Sequence, residues 1–303
     1  MQAYPPKKRY YPLWWLLLAV SRLPFPLLYL LSDFLCLILY RFIGYRKKVV
    51  RLNLERSFPE KTAVEIESLI PAFYHNLCDV IVETLKLATI TKAEMRGRTS
   101  HPDSEVFVKA ASAGPVIILG SHQANWEWAL PGAAAHFSFP ADGIYKVLNN
   151  EFFEWFMLRT RTRFGQHLIN MKDTLKDFIR RKNIPRAISM LSDQTPPRGE
   201  IQYWTTFLNQ DTAFYVGADK LAATFKYPVF FVECVRVKRG FYEYRISQLW
   251  DGKTTLENEA FPITERYARK LEKSVQANPA AYLWSHKRWK HARPVANEMA
   301  GMQ

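Results

Sequence analysis

Residues 114–130 read GPVIILGSHQANWEWAL, and the interpretation of the whole chain turns on them. The apolar run at 115–119 is short and β-branched, as a strand buried on both faces requires. Gly120 and Ser121 end the run, and the helix-forming stretch ANWEWALPGAAA follows, with His122 and Glu127 in the pattern H-x-x-x-x-E across the change. In sheets flanked by helices, reactive groups gather at the carboxyl ends of the strands. A histidine there accepts a hydroxyl proton near neutral pH, and a nearby carboxylate fixes its tautomer and stabilises the imidazolium that forms. On one continuous helix two residues five apart diverge, so the pair works only with the strand-to-helix turn between them. In the competing reading, His122 hydrogen-bonds its own loop and Glu127 is a first-turn charge favoured by the helix dipole. The spacing by itself does not choose between the two.

Working outward, 303 residues with 48% hydrophobic content are enough to bury a full core, and one domain with an anchor is the favoured reading: residues 1–45 as the anchor and 46–303 as the domain. Cys36, Cys78 and Cys234 are scattered, with no C-x-x-C and no metal-type spacing to a histidine, which predicts reduced, buried thiols in a cytoplasmic setting and no metal site. A net charge of +14 calls for an acidic partner. No nucleic-acid motif is present. Aromatics at 15%, including nine Trp, together with the cations point to an anionic membrane surface.

Lys7, Lys8 and Arg9 precede an apolar region at 13–45 that lacks a signal-peptide cleavage pattern. Arg22, Asp33 and Arg41 interrupt it and Pro24 and Pro26 break it, so it reads as helices lying in or dipping into the cytoplasmic face of a membrane, with one strained span over 23–40 as the alternative. Trp14-Trp15 beside a basic tip suits an interface anchor. A basic helix then stops at Phe58-Pro59, and Thr62 with Glu65 forms a capping box that opens a longer helix, which Pro71 is expected to kink or split.

Further strands are expected at 141–147, 166–169 and 186–194, and helices at 104–110, from Glu151 toward Gly165, at 172–181, 212–225 and 262–277. Residues 226–247 read as a hairpin turned near Arg239-Gly240 at the edge of the sheet. This alternation predicts an α/β fold with a mixed, largely parallel sheet flanked by helices. Arg159, Arg161 and Arg163 end one of the helices, with Arg159 and Arg163 on one face. They are either a solvated helix end or an anion clamp for a phosphorylated substrate. Asp193 and Gln194 end the strand at 186–194, and Asp193 either acts as a cap or pairs with an arginine, or it belongs to the site. The closing segment YLWSHKRWK reads as a basic helix, solvated or lying at a membrane interface.

These blocks in order, YRKKVVRLNLERSFPE, GSHQANWE, RTRFG, SDQ, KYPVFF and YLWSHKRWK behind an apolar N-terminus, resemble the bacterial lipid A late acyltransferase family of the lysophospholipid acyltransferase superfamily over nearly the whole chain. The resemblance implies a glycerolipid acyltransferase-like fold at the bacterial inner membrane, with the catalytic domain on the cytoplasmic side. It also implies transfer of a fatty acyl group from acyl carrier protein or acyl-CoA to a hydroxyl of a phosphorylated glycolipid, without cofactor, metal or covalent intermediate. His122 corresponds to the general base and Glu127 to its partner, while Arg161, Arg163 and Asp193 match the basic and third blocks. Backbone N–H groups from Gln123 to Asn125 are the expected oxyanion donors. The absence of G-x-S-x-G argues against a serine hydrolase.

The chain departs from the family at Phe207-Leu208-Asn209, where many members carry Phe-Phe-Gly, although Asn tolerates the left-handed conformation that Gly supplies. TPPRGEIQYW also replaces a glycine-rich acidic loop. An acyltransferase acting on another membrane lipid, such as an aminolipid, lysophospholipid or phosphatidylinositol mannoside, therefore stands beside the lipid A reading. A catalytically silent membrane scaffold is the third hypothesis.

Overall fold

The computed structural model describes residues 7–256 and 260–294. Strand β2 (Pro115–Gly120) is buried along its whole length near the middle of a seven-stranded sheet. The alternation of side chains along it feeds two cores. Ile117 and Leu119 pack with Ile188, Phe231 and Tyr267 on one face, while Val116 and Ile118 pack with Phe107, Ala187 and Phe230 on the other. Its parallel neighbours are β5 (Arg186–Leu191) and β8 (Val229–Lys238). Beyond β5 lie β3 (Ala141–Tyr145) and β4 (His167–Asn170); beyond β8 lie β9 (Phe241–Trp250) and the two-residue β1 (Thr99–Ser100). Every pair in this sheet is parallel except β8 with β9, so the sheet is mixed and largely parallel, as expected.

The β8–β9 hairpin turns at Gly240, whose φ of 76° is cheap only without a side chain. It is not the sheet edge that the sequence suggests. The run Val229, Phe230, Phe231 is apolar enough to be buried on both faces, so β8 sits beside β2 and β9 takes β1 on its outer side.

The flanking helices are α5 (Lys92–Arg98), α6 (Glu105–Ala113), α7 (Trp126–His136), α8 (Glu151–Arg161), α9 (Thr174–Arg180), α10 (Gly217–Phe225) and α11 (Pro262–Ala277). Two of them are shorter than their apolar patterns suggest. Helix α8 stops at Arg161, so Arg163 lies beyond its end and shares no helix face with Arg159. Helix α10 begins only at Gly217, because the preceding residues form a second hairpin, β6 (Tyr203–Phe207) with β7 (Gln210–Phe214). Leu208 and Asn209 make its two-residue turn at φ 49° and 60°, so Asn209 does take the left-handed conformation.

At the N-terminus, α1 (Tyr11–Arg22) and α2 (Phe25–Leu37) precede α3 (Lys47–Ser57) and α4 (Ala63–Lys86). The Thr62 capping box starts α4, with Glu65 N–H donating to the Thr62 hydroxyl and the Thr62 N–H donating to the Glu65 carboxylate, and the helix runs through Pro71 without splitting. Trp14 is not an outward anchor: it is buried edge-on against Trp155 of α8, while Trp15 stays half exposed. Helix α2 continues through a π-helical turn, so Phe25–Ile43 is a single stretch long and apolar enough to cross a membrane.

Leu27, Leu30, Phe34 and Leu37 on the outer face of α2 are exposed. Its inner face is polar where it meets α4 and the β8–β9 turn. Ser32 donates to Asp79 at 2.6 Å, Tyr29 donates to Glu83 at 2.9 Å, and Arg239 bridges Asp33 and Asp79. The three cysteines are free and buried.

After α11 the chain makes one 3-10 turn (Pro279–Ala281) and then runs irregularly. This replaces the basic helix expected there. Trp284 is buried against Phe58 and Tyr282, and the Asn53 side chain donates to the carbonyls of Trp284 and His286. Contacts with the core thus hold the segment in a path that no helical hydrogen-bond ladder would allow.

Candidate active site

Parallel pairing places Gly120 of β2 opposite Leu191 of β5. Two residues beyond each strand end come His122 and Asp193, so the register alone brings these side chains to the same mouth. The Asp193 carboxylate accepts from His122 Nδ1 at 2.7 Å and from the His122 backbone N–H at 3.0 Å. Burial would raise the pKa of Asp193, but the imidazole and its hydrogen bonds hold it below the usual carboxylate range, so it accepts and does not donate. Nδ1 therefore carries the proton, and in the neutral ring Nε2 carries the lone pair. Burial pushes the His122 pKa down, yet the charge and hydrogen bond of Asp193, and then the charge of Glu127, outweigh it and lift it above its ordinary 6.5. The Gln194 amide nitrogen lies 3.3 Å from Nε2.

Glu127, the carboxylate singled out by the motif, is not the one that hydrogen-bonds the imidazole. Its two oxygens accept a bidentate pair from Arg161 at 2.9 and 2.7 Å, and the Trp126 indole N–H donates to it at 3.1 Å. Burial would raise its pKa, but the Arg161 charge and hydrogen bonds bring it below the usual range. Trp126 stands edge-on to His122 with ring centroids 5.4 Å apart, so Glu127 reaches the imidazole through its charge and through the indole it holds. The strand-to-helix turn does separate the two motif residues, as their spacing demands.

The basic trio is dispersed. Arg161 holds Glu127, Arg159 lies over the rings of Trp14 and Trp155, and Arg163 donates to the Leu87 carbonyl at the end of α4. Asn125 caps α7: its side-chain oxygen accepts from the Trp128 N–H and its amide donates to Glu83. Two of the expected oxyanion donors already have acceptors, because the Gln123 N–H donates to the Ser121 carbonyl and the Ala124 N–H to the Ala281 carbonyl. With the Trp128 N–H taken by the Asn125 cap, the Trp126 and Glu127 amides at the start of α7 are the remaining first-turn donors there.

The closing segment also belongs to the site's surroundings. Leu283 N–H donates to the His122 carbonyl, and Arg288, 2% exposed, adds a cation whose charge lowers the pKa of Asp193. Burial pushes His286 down to about 4, so it is neutral at physiological pH. The polar cluster of Gln194, His286 and Arg288 in the SDQ and SHKRWK blocks is the sequence signal for these residues, but their convergence requires the fold.

Among the described residues, no group of three or more His, Cys, Asp or Glu side chains is arranged to hold a metal ion. The family of bacterial lipid A biosynthesis acyltransferases matches residues 7–291. The chain is 26% identical over 277 residues to the lipid A biosynthesis palmitoleoyltransferase of Escherichia coli K12, covering 90% of this chain and 88% of that protein. The lipid A biosynthesis acyltransferase of Shigella flexneri gives the same 26% identity over the same shares. The lipid A biosynthesis lauroyltransferase of Escherichia coli K12 is 25% identical over 281 residues, 89% of this chain and 88% of its own length.

Proposed function

The chain belongs to the bacterial lipid A biosynthesis acyltransferase family, and from that premise we propose that it moves a fatty acyl chain from acyl carrier protein or acyl-CoA to a hydroxyl of a phosphorylated lipid A precursor. His122 is the general base. Nε2 takes the acceptor hydroxyl proton while the oxygen attacks the thioester carbonyl carbon. The tetrahedral oxyanion is stabilised by the Trp126 and Glu127 amides at the start of α7 and by the Gln194 amide. Its collapse breaks the C–S bond, and the leaving thiolate takes the proton back from the imidazolium. Asp193 holds the tautomer and stabilises the imidazolium; Glu127, clamped by Arg161, adds negative charge and fixes Trp126 beside the ring.

The observation that carries this reading is the 2.7 Å contact between His122 Nδ1 and a buried, ionised Asp193, which makes Nε2 the accepting nitrogen; the substrate hydroxyl takes the place the Gln194 amide holds at 3.3 Å. In this reading, residues 1–45 anchor the 46–303 domain to the cytoplasmic face of the inner membrane. The exposed apolar face of α2 and the +14 net charge support that placement.

The test is mass spectrometry of total lipids from cells lacking the protein, rescued with wild type, His122→Ala or Glu127→Ala. One acyl chain returning to lipid A with wild type alone supports the proposal. A chain returning to a different lipid moves the acceptor, and unchanged profiles in every strain reduce the protein to a membrane scaffold.

A further inference from the structure

Directly behind the catalytic turn, Glu83 of α4 is fully buried and accepts three hydrogen bonds. They come from Tyr29 of α2 at 2.9 Å, from Asn125 at 2.6 Å and from Tyr242 of β9 at 2.7 Å. Its backbone carbonyl accepts a fourth, from the Trp128 indole N–H at 3.0 Å. Tyr244 completes the cage by donating to the Asn125 carbonyl at 2.8 Å.

The turn needs such restraint. Ala124 sits at φ 44°, a left-handed conformation that a side chain makes costly and that persists only where the surroundings over-determine it. Asn125 is the residue after it, and His122 is two residues before. Burial pushes the Glu83 carboxyl up to about 7, so an apolar residue would be cheaper for stability than an acid in this place.

We propose that Glu83 is a positioning residue: through Asn125 it fixes the turn that aims His122, and through Tyr29 it ties that turn to the apolar helix α2. The inference rests on His122 being the base.

The experiment uses purified full-length protein with acyl donor and lipid A precursor, comparing wild type with Glu83→Gln, Glu83→Leu and Asn125→Ser. Glutamine can place its oxygen toward Asn125 and Tyr242 and donate its amide to the Tyr29 oxygen. Serine at 125 still caps α7 but is too short to reach Glu83. Glu83→Leu and Asn125→Ser are expected to lower kcat on the order of 10- to 100-fold, with KM for both substrates within about twofold, since a small misplacement of a catalytic group costs turnover, not binding. Glu83→Gln is expected within about threefold of wild type, and the Leu/Ser double variant no slower than the slower single one.

A purely structural role predicts a lower Tm with unchanged kcat per folded molecule, and that result overturns the inference. So does a Glu83→Gln protein as slow as Glu83→Leu, or losses in the double variant that multiply. If Glu83→Leu does not fold, Asn125→Ser alone decides by the same kcat criterion. Wild-type turnover in His122→Ala would sink the underlying reading of the base instead, and is distinguished by that variant.

Discussion

Two irregular segments lie against each other at the mouth of β2 and β5. One is the turn 121–125; the other is the closing segment 281–289. Ala124 donates to the Ala281 carbonyl, Leu283 donates to the His122 carbonyl, and Gln123 bridges Tyr282 in an isolated antiparallel pair. Both segments are rich in polar residues, and only the closing one adds Tyr and Trp. In the proposed reading the turn carries the reactive nitrogen, while the closing segment carries shape: Trp284 in the core, Arg288 with its charge acting on Asp193, and main-chain groups bonded to the turn. On that reading the site has one segment for chemistry and another that makes its geometry unique.

That division is most sharply tested at Asp193. Asp193→Asn retains the shape but removes the acceptor that dictates the Nδ1–H tautomer, and is expected to lower kcat on the order of 10²–10⁴-fold with an unchanged melting curve. Steady-state kinetics beside thermal melts check it, and a change in stability without loss of turnover would break the distinction. The opposite signature is expected in the closing segment. Trp284→Ala should cost about 3–5 kcal/mol of stability from the cavity it leaves, read by denaturant unfolding, with turnover per folded molecule far less affected.

A smaller effect is the pH profile. As the proposed base, His122 must be neutral, and its surroundings raise its pKa above 6.5, so kcat/KM is expected to fall as pH drops through a midpoint above that value. Asp193→Asn moves the midpoint down, since burial then acts with less opposition, and Glu127→Gln moves it down by less. A midpoint at or below 6.5 in wild type would contradict the geometry. Smallest of all, Lys287→Ala and Lys290→Ala, both exposed, should change stability by no more than about 0.5 kcal/mol and leave soluble-assay turnover unaltered. A large loss there would mean that the closing segment touches substrate directly.

Much of the fold was legible in local pattern. The apolar run at 115–119 became β2, the Thr62 and Glu65 pair became a capping box, and the helix opening at Pro262 ended at Ala277 as expected. These signals are local because periodicity, capping and turn chemistry involve residues a few positions apart. Where the sequence misled, tertiary contact overrode propensity. The strong apolar pattern of 212–216 went into a strand and loop, Trp14 turned inward against Trp155, and YLWSHKRWK lost its helix to core packing of Trp284.

The site divides in the same way. The sequence by itself determined that a histidine stands at a strand mouth, with the carboxylate of its motif in the first turn of the following helix, because both follow from a strand ending and a helix beginning within a dozen residues. Only the tertiary structure decided which carboxylate bonds the imidazole. Asp193 lies 71 residues away and reaches His122 through the parallel register of β2 and β5, while Glu127 is turned toward Arg161 from α8. Register and helix packing are set by the whole core, and no spacing along the chain records them.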